Sequence, residues 1–570
     1  MSRDDQGNGW DPNQDVEPEA SLLASIDPLA FAEAFVQAAI GMATHAGEIA
    51  QAALRCSTGL MAAGAAAASR MAGADTPGPI APDRKDRRFA DPAWEGNPGY
   101  FYLQQAYLLW GRFVHESVAA AGLEGSAGEK LEFATELIVD AFAPTNFFWT
   151  NPAARKKALD TGGLSLMRGL RNFVDDAASN GGLPRQVPPD AFTVGKDLAA
   201  TPGKVVFRNK KMELIQYSPQ TKTVHETPLL LSPPWINKYY IMDLAPQRSF
   251  VEWAVQHGHT VFMISYRNPD EAHRNVKLDD YLVNGPLTAL DTVCEITGAD
   301  RVNIVGLCLG GTLTTMLLAY LAQAGDGRVN SATLLNTLVD FSIPGRLGAF
   351  TDRVSVERLQ KRIMRRGYLD KSELANTFTM MRGNDLIWNY AVNNWLLGED
   401  PPAFDILAWN ADGTRMPAAM HTFYIRSCYL ENELARGEME IAGTTLDLSS
   451  ITNDVYVLAA QEDHIAPWKG SYLTTQVLPN ADVRFVLSAS GHIAGIVNPP
   501  SPKAWYLLGE STPPDPEEWR TSATRHEGSW WEDWAEWLAA RAGKRVSPPS
   551  MGSELHPAQA EAPGEYVFGK

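Results

Sequence analysis

A cysteine in a glycine-rich turn is the group in this sequence best suited to covalent chemistry. Cys308 lies in the segment Gly306-Leu307-Cys308-Leu309-Gly310-Gly311, which follows the β-like run VNIV and precedes the helical run TLTTMLLAYLA. This pattern is typical of a nucleophile elbow, a strand-to-helix turn so sharp that only glycine fits on either side of the nucleophile. The alternative interpretation is a buried structural cysteine in a glycine-rich turn.

Such an elbow needs an acid after a later strand and a histidine near the end of the chain. The β-like run VYVLAA leads into QEDHIAPW, and the run VRFVLS leads into SASGHI, which places Asp463 and His492 after consecutive strands. The carboxyl ends of parallel strands are where such folds build their sites. Glu462 and His464 compete for the same roles because they are adjacent and equally titratable, and a plain surface loop is the alternative for His492.

The residue types indicate how these groups would work. A cysteine thiol, with an ordinary pKa of about 8.5, needs a neighbouring imidazole to become a thiolate at neutral pH. His492 would supply that imidazole, and Asp463 would orient it and support its cationic form. A cysteine holds an acyl group as a thioester, which stays activated for transfer to a hydroxyl. The pattern therefore favours acyl transfer over hydrolysis, although cysteine hydrolases share this elbow.

The oxyanion of an acyl-transfer intermediate needs two backbone N–H donors. The first expected donor is the N–H of Leu309, at the start of the helix after the elbow. The second would come from the loop PPWIN that follows the run PLLLS. Proline has no N–H, so Trp235 or Ile236 must supply it, and we take Ile236 as the candidate.

Short β-rich runs alternate with helical ones from about residue 195, which predicts a mostly parallel sheet covered by helices on both faces. Together with the elbow, this indicates an α/β-hydrolase fold. Helix-like sequence rich in Trp and Asn at about 340–430 interrupts the alternation and predicts a cap over the sheet edge. We therefore expect an N-terminal arm and linker at 1–88, a helical domain at 89–194 and a catalytic domain at 195–570.

The N-terminal arm should contain one ordered element. Residues 1 to about 20 are polar and predict disorder. From Asp27-Pro28 the sequence has helical spacing, with Phe31, Phe35, Met42 and Ile49 near one face. This amphipathic helix either docks on its own protein or forms an interaction arm, and the sequence leaves both interpretations open.

Composition excludes several classes of protein. The 570 residues carry a net charge of −18, so a nucleic-acid partner is not expected. No run approaches the roughly 18 apolar residues of a transmembrane helix, and the acidic N-terminus has no signal-peptide pattern. The four cysteines form no CxxC pair, so neither a disulfide framework nor a metal site is indicated. A cytoplasmic protein is expected.

Longer motifs make the expectation more specific. From about residue 85 to 545 the chain resembles class I polyhydroxyalkanoate synthases. The motifs that carry this resemblance are DRRFADPAW, NPAARKKALDTGGLSL, TPGKVVFRN, PPWINKYYIMDL, ISYRNPD, GLCLGGTL, LANTF, NDLIWNY, FDILAWNADGT, YLENEL, EDHIAPW, SGHIAGIVNPP and HEGSWWEDWAEWL.

The resemblance implies a reaction. Cys308 would carry the growing polyester as a thioester, while His492 would activate both Cys308 and the 3-hydroxyl of the incoming monomer, with assistance from Asp463. The substrate would be an (R)-3-hydroxyacyl-CoA of short acyl chain, such as 3-hydroxybutyryl-CoA. CoA would be a product, and no cofactor is expected. His464 and Asp243 match family positions and would support the site.

The resemblance also implies partners. Family members form homodimers, have a mobile cap and associate with polymer granules through their helical domain. We therefore expect a granule-associated homodimer with granule-associated proteins as further candidate partners. Two rival functions stay open. One is a cysteine hydrolase of the dienelactone-hydrolase type, and the other is a non-catalytic granule-binding protein.

Overall fold

The computed structural model describes residues 28–83 and 86–569, so the segment for which disorder is predicted lies outside the described residues. The helices in these ranges are α1 (Pro28–Thr44), α2 (Ala46–Met71), α3 (Ala93–Gly96), α4 (Pro98–Ala119), α5 (Gly125–Ala141), α6 (Pro152–Asp160), α7 (Leu164–Ser179), α8 (Phe250–Gln256), α9 (Leu278–Leu282), α10 (Thr288–Thr297), α11 (Leu309–Gln323), α12 (Arg353–Arg366), α13 (Lys371–Met380), α14 (Asp405–Ala411), α15 (Ala418–Tyr424), α16 (Trp468–Tyr472), α17 (Thr474–Val477), α18 (Pro516–Ser522) and α19 (Trp530–Ala539). None of them is long and apolar enough to cross a membrane.

Within the same ranges, eleven strands form one mixed sheet. They are β1 (Gly203–Arg208), β2 (Met212–Tyr217), β3 (Leu229–Ser232), β4 (Val261–Tyr266), β5 (Val302–Leu307), β6 (Val329–Leu335), β7 (Asp454–Ala460), β8 (Asp482–Ser488), β9 (Trp505–Leu508), β10 (Thr524–Glu527) and β11 (Ala560–Glu561). Their spatial order is β10-β9-β8-β7-β6-β5-β3-β4-β2-β1-β11. Strands β3 to β8 are mutually parallel, so their carboxyl ends share one edge.

Both faces of the sheet are covered. Along β4, Phe262 and Ile264 belong to one buried cluster, whereas Val261 and Met263 belong to the other. Alternation of side chains along a strand sends successive residues to opposite faces, so a strand buried on both sides reads as a continuous apolar run. Helices α9 to α11 contribute to the first cluster, and α8 and α19 contribute to the second. The predicted α/β class is confirmed.

Tryptophans of α19 fill the second cluster. Trp530, Trp531 and Trp534 are at most 1% exposed, and the ring of Trp534 lies 4.5 Å from that of Phe250 in α8. The indole Nε1 of Trp534 donates to Thr333 Oγ1 in β6 at 3.0 Å. Large aromatic side chains with a satisfied polar atom contribute strongly to burial, so α19 fixes α8 against the sheet.

The N-terminal helices dock on the rest of the chain. Helix α2 packs along α4, and α1 packs against α5. The ring of Phe31 in α1 lies 6.2 Å from Phe133 in α5 and 6.1 Å from Phe350. The structure thus favours the docked interpretation of this arm. It also corrects two details, because the helix breaks at His45 and Phe35 is 44% exposed rather than packed.

The segment between β6 and β7 forms the cap. It contains α12 to α15 together with π-helical turns at Asn384–Trp388, Ala391–Leu396 and Ile425–Leu430. The predicted cap at about 340–430 falls inside it. A buried ion pair joins the cap to α5, with Lys130 Nζ 2.6 Å from Asp352 Oδ2. The helical N-terminal part therefore supports the element that covers the sheet edge.

Candidate active site

The nucleophile position lies at a strained bend between β5 and α11. Cys308 has φ 53° and ψ −119°, a conformation that costs a non-glycine residue of order 1–3 kcal/mol. The glycines after it are required by close approach. A Cβ on Gly310 would lie 2.1 Å from the carbonyl oxygen of Ser232, and one on Gly311 would lie 2.0 Å from Thr337 Oγ1. The turn therefore has the geometry that its sequence predicts, with the thiol raised at the carboxyl edge of the sheet.

The structure brings the predicted acid and base together. Asp463 follows β7 and His492 follows β8, and His492 Nδ1 lies 2.6 Å from Asp463 Oδ2. Both residues are buried, whereas Glu462 is exposed. The other oxygen of Asp463 accepts the backbone N–H groups of Ile465 and Ala466 at 2.8 and 2.9 Å. This carboxylate is held in place on both sides, so Asp463 rather than Glu462 pairs with the imidazole.

His492 also reaches the thiol. Because Nδ1 faces the carboxylate, Nε2 is the ring nitrogen left for Cys308, and both side chains line the same cavity. The Cys308 sulfur is near enough to the ring to raise its pKa. Burial lowers the pKa of His492, but the Asp463 carboxylate and the Cys308 sulfur raise it by more, so this pKa lies well above its ordinary value. The imidazole is thereby suited to accept and hold a proton.

Both candidate oxyanion donors lie at the same cavity. Leu309 and Ile236 line its wall beside Cys308. Within the described ranges, neither backbone N–H has an intramolecular hydrogen-bond acceptor. Trp235, the alternative donor, is buried and does not line this cavity. The arrangement leaves two N–H groups available to an oxygen atom bound next to the sulfur.

The cavity itself is apolar and has a volume of about 400 Å³. The cap supplies much of its wall, through Phe341, Leu374, Phe378, Tyr424 and Tyr429. The sequence predicts a cap here, but it does not predict that these residues line the cavity. A local sequence pattern does not show which cap side chains point toward the thiol. The site can therefore hold an apolar group against Cys308 with little water present.

His464 lies at the edge of the site. It lines the apolar cavity and a second, polar cavity whose wall includes Glu136 and Asp140 of α5. Burial lowers the pKa of His464 to about 4, with Arg382 acting in the same direction, so the ring is neutral at pH 7. A neutral imidazole in this place can accept or donate a hydrogen bond, but it adds no charge.

Asp243 is not brought to the site. Its buried carboxylate accepts hydrogen bonds from Thr201 Oγ1 at 2.5 Å and Ser249 Oγ at 2.7 Å, and it does not line the cavity. Burial raises the pKa of Asp243 despite these hydrogen bonds. The residue ties the segment before β1 to the start of α8, which is a structural task.

The fold and the site together define a protein of the α/β-hydrolase class with cysteine at the nucleophile position. The strand order, the elbow and the two loops after β7 and β8 are the features that define it. In agreement with this, residues 235–499 match the model of the alpha/beta hydrolase fold family.

Comparison with known proteins gives the family. Residues 85–254 match the family described as "Poly-beta-hydroxybutyrate polymerase (PhaC) N-terminus". The chain is 45% identical to a "Poly(3-hydroxyalkanoate) polymerase" of Methylorubrum extorquens, over 88% of this chain and 83% of that one. It is 42% identical to a "Poly(3-hydroxyalkanoate) polymerase subunit PhaC" of Cupriavidus necator, over 87% of this chain and 85% of that one. The chain belongs to the family of poly(3-hydroxyalkanoate) polymerases, which confirms the resemblance found in its motifs.

The electrostatics of His492 can be tested by substitution of Asp463→Asn. In the native protein we expect His492 to be protonated at pH 7, because its pKa lies well above the ordinary value. Without the carboxylate, only the Cys308 sulfur opposes the effect of burial, which is the largest one, so the pKa should fall and the ring should become neutral at pH 7. Nitrogen-15 NMR of histidine-labelled protein, assigned with a His492→Gln sample, measures this directly.

His421 provides an internal control for this titration. Burial lowers its pKa to about 4, so its signal should be that of a neutral ring at pH 7 in every sample. A His492 signal that stays protonated in Asp463→Asn, while His421 is neutral, would contradict the assigned cause of the shift.

Proposed function

We propose that this protein polymerises (R)-3-hydroxyacyl-CoA thioesters into a polyester, with release of CoA at each addition. The observation that carries the proposal is the connected set Asp463, His492 and Cys308 beneath a capped apolar cavity. The relatives from Methylorubrum extorquens and Cupriavidus necator, both named poly(3-hydroxyalkanoate) polymerases, support the reaction class. No step below needs a metal or a cofactor, because the substrate thioester is already activated.

At the start of the first half-reaction His492 already holds the proton of the Cys308 thiol, and the thiolate sulfur attacks the thioester carbonyl carbon. The N–H groups of Leu309 and Ile236 would hold the oxyanion that forms. The bond between that carbon and the CoA sulfur then breaks, and His492 returns the proton to the departing thiolate. The acyl group is left as a thioester on Cys308, while Asp463 supports the imidazolium until that proton transfer.

In the second half-reaction, the acceptor is a hydroxyl group on a 3-hydroxyacyl unit. His492 takes its proton, and the oxygen attacks the carbonyl carbon held on Cys308. The new ester bond forms as the carbon–sulfur bond breaks, and the proton goes to the thiolate. Each cycle lengthens the chain by one unit and consumes one thioester.

The apolar cavity favours transfer over hydrolysis. Phe341 and Phe378 of the cap lie in its wall, and such side chains offer water no hydrogen-bond partner. An alcohol carried on an acyl chain can gain binding energy there, whereas a water molecule cannot. The cavity thus supports the polymerase over the dienelactone-hydrolase type of reaction.

Finer features of the reaction also belong to the proposal. We infer a preference for short acyl groups such as 3-hydroxybutyryl from the class I resemblance of the motifs, and a single pocket contact adjusts such a preference by only about 1–3 kcal/mol. Homodimerisation and contact with granule-coating proteins stay predictions of the same resemblance, as does a supporting role for His464.

Substitution of Cys308→Ala or His492→Gln should lower CoA release from 3-hydroxybutyryl-CoA by about 10³-fold or more, because each removes an essential member of one catalytic unit. Thiol detection of free CoA measures the rate, and recovery of insoluble ester measures the product. Cys294→Ala is the matched control, since Cys294 is half-buried and does not line the cavity; it should keep the native rate.

Other outcomes select the rival functions. Free hydroxy acid without insoluble polymer would identify a hydrolase. CoA release that persists in Cys308→Ala would overturn the mechanism, and no release by the native protein would favour a non-catalytic granule-binding protein. A native rate on 3-hydroxyoctanoyl-CoA above that on 3-hydroxybutyryl-CoA would contradict the inferred chain length.

We propose that the protein works in the cytoplasm on the surface of its polymer, and that helix α7 contacts this surface. Helix α7 exposes a stripe of apolar side chains three or four residues apart. Its members are Leu164 (56% exposed), Met167 (71%), Leu170 (64%) and Val174 (55%). An insoluble polyester offers the apolar surface that such a stripe fits.

The double substitution Met167→Glu with Leu170→Glu should weaken binding of the full chain to poly(3-hydroxybutyrate) particles by about tenfold or more, because each side chain loses up to about 1.5–3 kcal/mol of burial. Co-sedimentation with particles measures it. Leu555→Glu, at a 78% exposed position far along the chain, is the control and should bind as the native protein does. Equal binding of all three proteins would exclude α7 as the contact.

A further inference from the structure

The turn that follows β6 joins the nucleophile to the base, and neither the motif nor the proposed mechanism uses it. It begins at Leu335, the last residue of β6, and continues through Asn336 and Thr337. It lies at the carboxyl edge of the sheet, between β5 and β7. All three residues are at most 1% exposed. Their position makes them neighbours of both the elbow and the loops that carry Asp463 and His492.

Two residues of the turn hold the elbow. The carbonyl oxygen of Leu335 accepts the backbone N–H of Cys308 at 2.8 Å. The hydroxyl of Thr337 lies 3.2 Å from the carbonyl oxygen of Cys308 and can donate to it. The backbone N–H and the backbone carbonyl of Cys308 are therefore both held by this turn.

Asn336 holds the opposite partner. Its side-chain Nδ2 donates to the carbonyl oxygen of His492 at 2.5 Å, and its backbone N–H donates to Leu458 in β7 at 2.8 Å. The amide orientation follows from chemistry, since a carbonyl oxygen can face only a donor. One residue thus links the strand before the acid loop, through its backbone N–H, to the backbone of the base, through its side chain.

The conformation of Asn336 suits this task and few other residues. Its φ is +45°, a left-handed value that asparagine adopts more readily than most residues. Its Oδ1 is buried and has no hydrogen-bond partner among the described residues. An unpaired buried oxygen costs about 1–3 kcal/mol, so stability alone does not explain an amide in this place.

We propose that Asn336 is a positioning residue, which holds the His492 backbone so that the imidazole stays within reach of the Cys308 sulfur. The inference deepens the proposed function and rests on it. Asp463 orients the ring of His492, whereas Asn336 fixes the backbone from which the ring projects. The distance between nucleophile and base is therefore set within one short turn that contacts both.

Asn336→Gly tests the proposal, because glycine adopts the positive φ without strain and removes only the amide. We expect kcat for CoA release to fall by about 10- to 100-fold with little change in KM, since a displacement of about 1 Å in a catalytic group has an effect of this order. The rate at which iodoacetamide alkylates Cys308, followed by peptide mass spectrometry from pH 5 to 9, should lose the enhancement that His492 provides at neutral pH.

Asn303→Ala is the matched control. Asn303 is another buried asparagine of the same sheet, 1% exposed, with its Oδ1 accepting from Ser331 Oγ at 2.7 Å, and it does not line the cavity. It should lower the unfolding temperature as Asn336→Gly does but keep the native kcat and the native alkylation profile. Should Asn336→Gly not fold, Asn336→Asp retains the shape and places an acceptor against the His492 carbonyl, with the same expected losses.

Native kcat together with a native alkylation profile in the folded Asn336 variant would overturn the proposal. The alkylation measurement needs no substrate, so it tests the link between Asn336 and the Cys308–His492 pair even if the native protein releases no CoA. That second result would count against the proposed function alone.

Discussion

The whole site depends on the pairing of an imidazole with a sulfur that arrives from a distant part of the chain, at one cavity. Cys308 follows β5 and His492 follows β8, so the two meet only because parallel strands bring their carboxyl ends to the same edge. The buried carboxylate of Asp463, 2.6 Å from His492 Nδ1, then fixes which nitrogen faces the sulfur. A direct backbone hydrogen bond, from the N–H of Glu462 to Ser490, ties the two loops together at 2.8 Å.

Two opposing electrostatic effects act on this contact. Burial disfavours a charged imidazole, and the adjacent carboxylate favours it, with the carboxylate and the sulfur prevailing at His492. His464, the residue after Asp463, shows the other outcome, because burial keeps its ring neutral. The apolar cavity makes both effects stronger than they would be in water. The apolar side chains of the cap therefore also increase the difference in pKa between His464 and His492.

Sequence alone located the elements of this site where a local pattern encodes them. The elbow can be recognised in the sequence because Gly310 and Gly311 have no room for a side chain. The α/β class can be recognised because strands buried on both faces are continuous apolar runs. The family resemblance led us to expect Asp243 at the site. Its carboxylate instead accepts hydrogen bonds from Thr201 and Ser249 and does not line the cavity. The resemblance also could not reveal the break at His45.

Features that depend on contacts across the fold stayed out of reach of the sequence. Some cap residues of the cavity wall, such as Tyr429, lie in π-helical turns, where the ordinary helical period does not predict which way a side chain points. Asn336 belongs to no recognisable sequence motif. Its proposed positioning role depends on one hydrogen bond to His492, a residue far along the chain. Physical reasoning from sequence therefore finds the reactive groups, whereas the groups that position them require coordinates.

The central claim is that the Cys308 sulfur, activated by His492, carries the acyl group. Incubation with a CoA thioester that lacks the 3-hydroxyl, followed by acid quenching, digestion and peptide mass spectrometry, tests it most directly, because the acyl-enzyme then has no alcohol to react with. We predict one added acyl group on the peptide that contains Cys308, absent when His492 is replaced by glutamine. Acylation at Cys294 or Cys428 instead, or release of CoA without any acylated cysteine, would contradict the account.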